Sequence, residues 1–427
     1  MKRFNKNFLI GAATSAHQVE GDNKYSDFWE MEQMKHSIFQ EPSLKAADHY
    51  HHYKEDIELL SESGLNAYRF SIEWARIEPK KGVFDEKEMN HYNDVIDYCI
   101  NRKIEPVVTL HHFSSPKWLI EEGGWEAETT VEYFASYCRY VVKHVGEKLN
   151  YICTINEANM GLQMASIMRD RLKQTNSGVQ VGVRLVEKKE IKENMKELLE
   201  NFGITPPEEV NHFLSMRSEK GDCLIMRAHE AARDTMKNIY PHLKIGITLS
   251  LHDFQFCGKG EKLVEKEWEE EFGHYIPYIL KDDFLGLQNY TRKLVGTEGV
   301  QPVSAMEELT QMNYEFYPEA LANVIRKVAG EIPIPIMITE NGVATEDDQR
   351  RIEFIRRALA GVTDCVKDGI PVIGYMYWSL LDNFEWMMGF TKEFGLIAVD
   401  RKTQKRYPKE SLSFLGGYAY NEERTEL

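Results

Sequence analysis

Two segments of this chain join a short apolar run to a terminal carboxylate: Tyr151-Ile152-Cys153-Thr154-Ile155-Asn156-Glu157 and Ile334-Pro335-Ile336-Met337-Ile338-Thr339-Glu340-Asn341-Gly342. A buried strand that stops at an acid carries that acid to the open end of a barrel. Two acids facing each other across a sugar ring are what cleavage of a glycosidic bond requires, one to protonate the leaving oxygen and one to attack or to activate water. Polar and aromatic side chains recur at the ends of the other apolar runs: Gln18, Arg69, His112, Tyr290, Trp378 and the pair Glu385-Trp386. Any one of them could be incidental, but packing alone does not account for the set.

The elements that must position these residues are legible as alternating patterns. Eight short β-branched or aromatic runs read as buried strands, at 8–14, 67–72, 105–110, 151–155, 244–249, 284–288, 334–339 and 372–378. Between most of them, apolar residues at three- and four-residue spacing predict helices, at 53–63, 88–101, 130–149, 221–239, 318–328 and 347–368. Strand and helix alternating in this way predict an α/β fold, a (β/α)8 TIM barrel forming a single domain over residues 1–427. Residues 160–220 are the exception. They carry a Lys/Glu-rich stretch at 187–200 and a Thr205-Pro206-Pro207 break, and they read as an elaborated loop with a solvated helix face after strand four.

Composition narrows the partners. A formal charge of −16 argues against nucleic acid and against anionic membranes, both of which need a positive surface. No run approaches a membrane span. Lys2 and Arg3 before Phe8-Leu9-Ile10-Gly11-Ala12-Ala13-Thr14-Ser15-Ala16 imitate a leader peptide, but the apolar stretch is very short and reads better as the first barrel strand. The six cysteines are scattered without a Cys-x-x-Cys pair, which suggests free thiols and a cytoplasmic location. Glycine-rich phosphate loops are absent and no cofactor is expected. His49, His51, His52 and the pair His111-His112 invite a metal reading. It is disfavoured, because the first three precede strand two and adjacent side chains on strand three point to opposite faces.

Several stretches together resemble glycoside hydrolase family 1 from Phe8 to about Pro408: residues 8–21 ending in His17-Gln18-Val19-Glu20-Gly21, Ala67-Tyr68-Arg69-Phe70-Ser71, Thr109-Leu110-His111-His112-Phe113, Thr154-Ile155-Asn156-Glu157, Ile338-Thr339-Glu340-Asn341-Gly342, and Trp378-Ser379-Leu380-Leu381-Asp382-Asn383-Phe384-Glu385-Trp386. The resemblance implies a cofactor-free retaining β-glycosidase acting on a small-molecule β-glycoside. Glu157 corresponds to the family's acid/base and Glu340 to its nucleophile, with Arg69, Asn156 and Tyr290 in support. Chemistry agrees, since Glu157 must hold its proton while Arg69 and Tyr290 favour an ionised Glu340. Gln18, His112, Glu385 and Trp386 match glycone-binding positions, and Trp378 the sugar platform.

Relatives that cleave 6-phosphoglycosides resemble a pattern with serine at position 385 and tyrosine at position 394, where this chain has Glu385 and Phe394. A carboxylate repels phosphate, so a non-phosphorylated glycoside is expected, most naturally a β-glucoside, with β-galactosides and β-fucosides as secondary substrates. Three departures from the family fall together. Ala158 and Asn159 replace a usual proline and a frequent tryptophan, Gln288 stands for a usual asparagine, and the segment after Asn159 lacks the common glycine- and proline-rich loop. They predict a rebuilt leaving-group side. The alternatives are a sugar-binding barrel that has lost catalysis, a 6-phospho-β-glycosidase and a metal-dependent hydrolase; oligomeric state is not readable.

Overall fold

Eight strands run parallel around a barrel: β1 (Leu9–Ala13), β2 (Ala67–Ser71), β3 (Glu105–His111), β4 (Tyr151–Ile155), β5 in two pieces (Lys244–Gly246 and Thr248–Ser250), β6 (Leu285–Gln288), β7 (Ile336–Asn341) and β8 (Val372–Trp378). The computed structural model describes residues 4–165, 188–258, 260–304 and 307–419. Strands β1 to β4 pair in order, β8 pairs with both β1 and β7, and β7 pairs with β6. The break in β5 lies at Ile247: the first piece pairs with β4 and the second with β6. The ring therefore closes through a strand that changes partner midway. Across the break the Ile247 carbonyl accepts from the Gly286 amide at 2.9 Å, and the Ile247 amide donates to Asp282 Oδ2 at 3.1 Å.

Each strand is followed by a helix: α1 (His49–Glu62), α2 (Glu86–Asn101), α3 (Thr129–Val145), α4 (Glu219–Ile239), α5 (Glu261–Glu271), α6 (Ala320–Glu331), α7 (Asp348–Lys367) and α8 (Glu410–Gly416). The apolar spacing is the cause. On α3 the buried residues Phe134, Tyr137, Cys138, Val141, Val142 and Val145 recur every three or four positions and form one stripe against the barrel. Starts are fixed by side-chain caps: Asp85 accepts from the Lys87 and Glu88 amides, Ser218 from Gly221 and Asp347 from Gln349. The sequence pattern finds six of the eight but misses α5 and α8. α5 is dominated by glutamate and lysine with few apolar anchors, and α8 spans only 7 residues.

The barrel interior is narrow. Ala13, Ala67, Val107, Cys153, Phe284, Met337 and Met376 pack in it, while the alternate residues Tyr68 and Phe70 of β2 turn outward to the helix layer. Arg69, two residues beyond Ala67, shares the inward face one layer nearer the mouth.

Within the 160–220 region, residues 166–187 lie outside those described. Lys188–Asn201 is a helix with half of its described side chains exposed, and Glu197 on it accepts from the Lys35 and His36 amides at 2.8 and 2.7 Å. A small sheet of Asp253–Phe256, Arg292–Gly296 and Gly299–Val300, absent from the sequence reading, follows β5 and β6. Among the described residues no helix is long and apolar enough to cross a membrane.

Candidate active site

Glu340, one residue past the predicted strand end at Thr339, lies inside β7, which runs on to Asn341, and pairs laterally with Gln288 of β6 after a register shift beside Thr339. The shift sets its carboxylate among three donors. Arg69 Nη1 donates to Oε1 at 2.6 Å, Gln288 Nε2 to Oε1 at 3.0 Å, and the Tyr290 hydroxyl to Oε2 at 2.6 Å. Arg69 is fully buried and also donates through Nη2 to Asn156 Oδ1 at 2.5 Å.

Glu157 follows β4 by two residues and takes a left-handed backbone, φ 44°, with its amide donating to Thr248 Oγ1 at 2.8 Å. A Ser250 side-chain hydrogen bond reaches its carboxyl. Phe113 and Trp386 also adopt positive φ, 69° and 46°. Such backbone costs a bulky residue about 1–3 kcal/mol, and all three of these residues line the same cavity.

That cavity encloses about 290 Å³ of space, part of it open to solvent. Ten of the residues singled out in the sequence line it: Gln18, His112, Asn156, Glu157, Tyr290, Glu340, Trp378, Glu385, Trp386 and Phe394. The other two, Arg69 and Gln288, reach it indirectly through their bonds to Glu340 and Asn156. Gln18 is tied by Ser15 Oγ, which donates to its Oε1 at 2.6 Å, and by its own Nε2, which donates to the Phe384 carbonyl at 2.8 Å and Glu385 Oε2 at 3.4 Å. Ring pairs pack at the cavity: His112 stacks on Trp378 with centroids 5.6 Å apart, Trp386 lies parallel to His17 at 5.8 Å, and Phe394 meets Tyr290 edge-on at 6.2 Å.

Electrostatics separates the two acids. Burial, together with the charge of Glu340, pushes the Glu157 carboxyl well above the usual carboxylate range. Burial raises Glu340 too, against the pull of Arg69, Tyr290 and Gln288. The sequence reading expects those partners to favour the charged form of Glu340, and they do lower its pKa; burial outweighs them, leaving Glu340 raised but less so than Glu157. The shared proton therefore rests on Glu157. Burial and the Arg69 charge hold His112 far below the ordinary imidazole range, so it is neutral. Asn156 Nδ2 donates to its Nε2 at 3.1 Å, which assigns the proton to Nδ1, an atom without a partner among the described residues.

The other histidines of the metal reading face protein groups, His52 lying 3.7 Å from Asp48 and 3.4 Å from Glu55. His49 Nδ1 pairs with Asp56 at 2.7 Å, His51 Nδ1 with Asp48 at 2.6 Å, and His111 Nε2 with Ser115 Oγ at 3.0 Å. Among the described residues no group of three or more candidate ligand side chains gathers around a metal position. Sequence reasoning missed Phe113, Thr248, Ser250 and Tyr314. The polar-apolar-polar alternation Thr248-Leu249-Ser250 was the available signal for β5. Tyr314 gave none: it comes from a long loop, and its buried hydroxyl lacks a partner among the described residues while feeling the charges of Glu385 and Glu157.

A parallel barrel that gathers paired acids, amides and aromatic rings at the C-terminal ends of its strands belongs to the barrel glycosidases, enzymes that hydrolyse O-glycosidic bonds. Within that class the chain belongs to glycosyl hydrolase family 1, whose description matches residues 1–169 and 271–423. Beta-glucosidase A of Thermotoga maritima is 30% identical over 482 residues, covering 99% of this chain and 97% of its own length. The 6-phospho-beta-galactosidase of Clostridium acetobutylicum is 28% identical over 98% of each chain. Among solved structures, beta-glycosidase BGL167 superposes with a TM-score of 0.90 at 40% identity, over 98% of each chain. The stretch between the two matched ranges contains α4 and β5, the elements beside Glu157.

Proposed function

We propose that this protein is a retaining β-glycosidase acting on terminal, non-phosphorylated β-glycosides, β-glucosides first among them. One observation carries the reading: two carboxyls share one cavity, Glu340 gripped by an arginine, an amide and a phenol, Glu157 holding the proton. In the first step a Glu340 oxygen bonds to the anomeric carbon, the bond from that carbon to the leaving oxygen breaks, and the Glu157 proton passes to that oxygen. In the second, water loses a proton to Glu157 as its oxygen bonds to the anomeric carbon and the ester to Glu340 breaks. Asn156 uses one Nδ2 hydrogen on His112 and keeps the other for a sugar hydroxyl. Trp378 and Trp386 line the cavity and supply aromatic surface for the sugar.

The preference against phosphate rests on charge. Glu157, Glu340 and Glu385 line the cavity without a lysine or arginine among the lining residues, and Arg69 behind it is committed to Glu340 and Asn156. A phosphorylated sugar would meet carboxylates and no cation. The phosphoglycosidase relatives make the test necessary: aryl β-glucosides, β-galactosides and β-fucosides are assayed beside their 6-phospho counterparts, and a preference for the phosphorylated set overturns this assignment. Proton NMR of the first-formed sugar is expected to show the β anomer. Glu340→Gln should remove turnover by about 10⁴-fold or more with an unchanged circular dichroism spectrum; near-normal activity refutes the nucleophile, and an inert parent enzyme would favour the sugar-binding barrel.

A further inference from the structure

The barrel seam beside Glu157 is not sewn by a strand ladder. β4 pairs with β5 only through Lys244–Gly246, and the upper piece Thr248–Ser250 turns to β6, so at the level of the acid the ladder between β4 and β5 gives way to a backbone bond from the Ala158 amide to the Thr248 carbonyl at 3.0 Å. The amide side chain of Asn159 extends that link. It is completely buried; its Oδ1 accepts from the Ser250 amide at 3.0 Å, and its Nδ2 donates to the Ser250 carbonyl at 2.7 Å and to the Glu271 carbonyl at 3.0 Å. A side-chain amide bonded to both backbone groups of one residue does what a neighbouring strand would do. Its own carbonyl accepts from the Leu162 and Gln163 amides, each at 3.2 Å, which starts the helical turn that follows the acid.

We propose that Asn159 is a positioning residue for Glu157, clamping the loop that carries the acid to the detached upper half of β5. The inference rests on the reading of Glu157 as acid/base. Between them lies only Ala158, whose amide donates to the Thr248 carbonyl at 3.0 Å, and the left-handed backbone at Glu157 persists because both sides are held. The clamp also accounts for the residue type. The family resemblance sets Ala158 and Asn159 against a usual proline and a frequent tryptophan, yet the Asn159 side chain lies in the seam and not in the cavity lining, where it builds the wall that carries Ser250 against the acid.

The experiment measures kcat/KM of Asn159→Ala and Asn159→Ser on aryl β-glucosides spanning leaving groups from activated to poor, with Glu157→Ala alongside. Loss of proton donation hurts poor leaving groups selectively, and a displacement near 1 Å costs about 10²-fold. The poor-leaving-group substrates are expected to fall by about 10²-fold in both Asn159 variants, with the activated substrate falling less than about threefold. The ratio between substrates does not depend on how much of each preparation is folded. A flat loss across leaving groups in both variants, or no turnover of the activated substrate in either, overturns the proposal, because Asn159 then supports the barrel as a whole. A flat profile for Glu157→Ala sinks the acid assignment itself, and with it the clamp's purpose. A steep profile for Glu157→Ala beside flat ones for position 159 overturns the clamp alone.

Discussion

Glu157 and Glu340 are chemically identical side chains placed in unlike surroundings. Glu340 accepts from Arg69, Gln288 and Tyr290, whereas Glu157 has a hydroxyl and the repulsion of Glu340. The activity profile should therefore fall on the acid side as Glu340 takes up a proton and on the alkaline side as Glu157 loses one. Glu157→Gln is expected to abolish the alkaline limb of kcat/KM on an activated aryl glycoside while retaining the acid limb; an alkaline limb that survives would assign the proton elsewhere. Stability follows the same linkage. A carboxyl raised by folding stabilises fully below its unfolded pKa, and that contribution disappears as pH rises through the folded value. Glu157→Gln removes the alkaline loss, so its melting temperature relative to the parent should increase with pH across that window. Both acids were visible as residues in the sequence because each ends an apolar run, but the depth of burial that raises Glu340 despite its arginine was not.

At the scale of elements, the decisive feature is β5. A continuous strand over 244–249 was the natural reading of Lys244-Ile245-Gly246-Ile247-Thr248-Leu249, and the barrel instead breaks it at Ile247 to satisfy β4 below and β6 above. Closing a ring with parallel strands requires stagger between neighbours, and no local propensity encodes where that stagger is absorbed. Gly246 permits it. A Cβ there would fall on the Phe284 carbonyl at the start of β6, although the glycine's own φ is ordinary. Gly246→Ala should cost about 1–3 kcal/mol, read as a lower midpoint of urea unfolding. A variant as stable as the parent would mean that the seam relaxes freely.

On the scale of the whole molecule, the last turns of the chain lock onto the first helix. Arg406 Nε donates to Asp56 Oδ1 at 2.8 Å and its Nη2 to Asp56 Oδ2 at 3.0 Å, while His49 bonds the same carboxylate, all buried. Burial raises the Asp56 pKa, but the bonds from His49 and Arg406 outweigh it and hold the carboxyl below its usual range. Its stabilisation is thus present above the ordinary aspartate pKa and lost as pH falls through the folded value. Arg406→Ala strands a buried carboxylate and should cost about 3–5 kcal/mol at neutral pH, a difference that narrows in acid. A constant difference down to acid pH would show that packing and not charge is responsible. Turnover per folded molecule should be unchanged, since Arg406 is not among the residues that line the cavity.

The sequence by itself determined the barrel, the two acids and the ring of polar and aromatic residues at its mouth. Strand hydrophobicity, helical spacing and the residue that ends each run are local properties, and they survive in a one-dimensional string. Tertiary structure alone decided the partner switch in β5, the path of Asn159 into the seam, the Tyr314 hydroxyl left without a partner among the described residues and the order in which the acids hold their proton. Each of these depends on which backbone groups are left over once the ring has closed and on how deeply a charge is buried, quantities set by residues far apart in the chain.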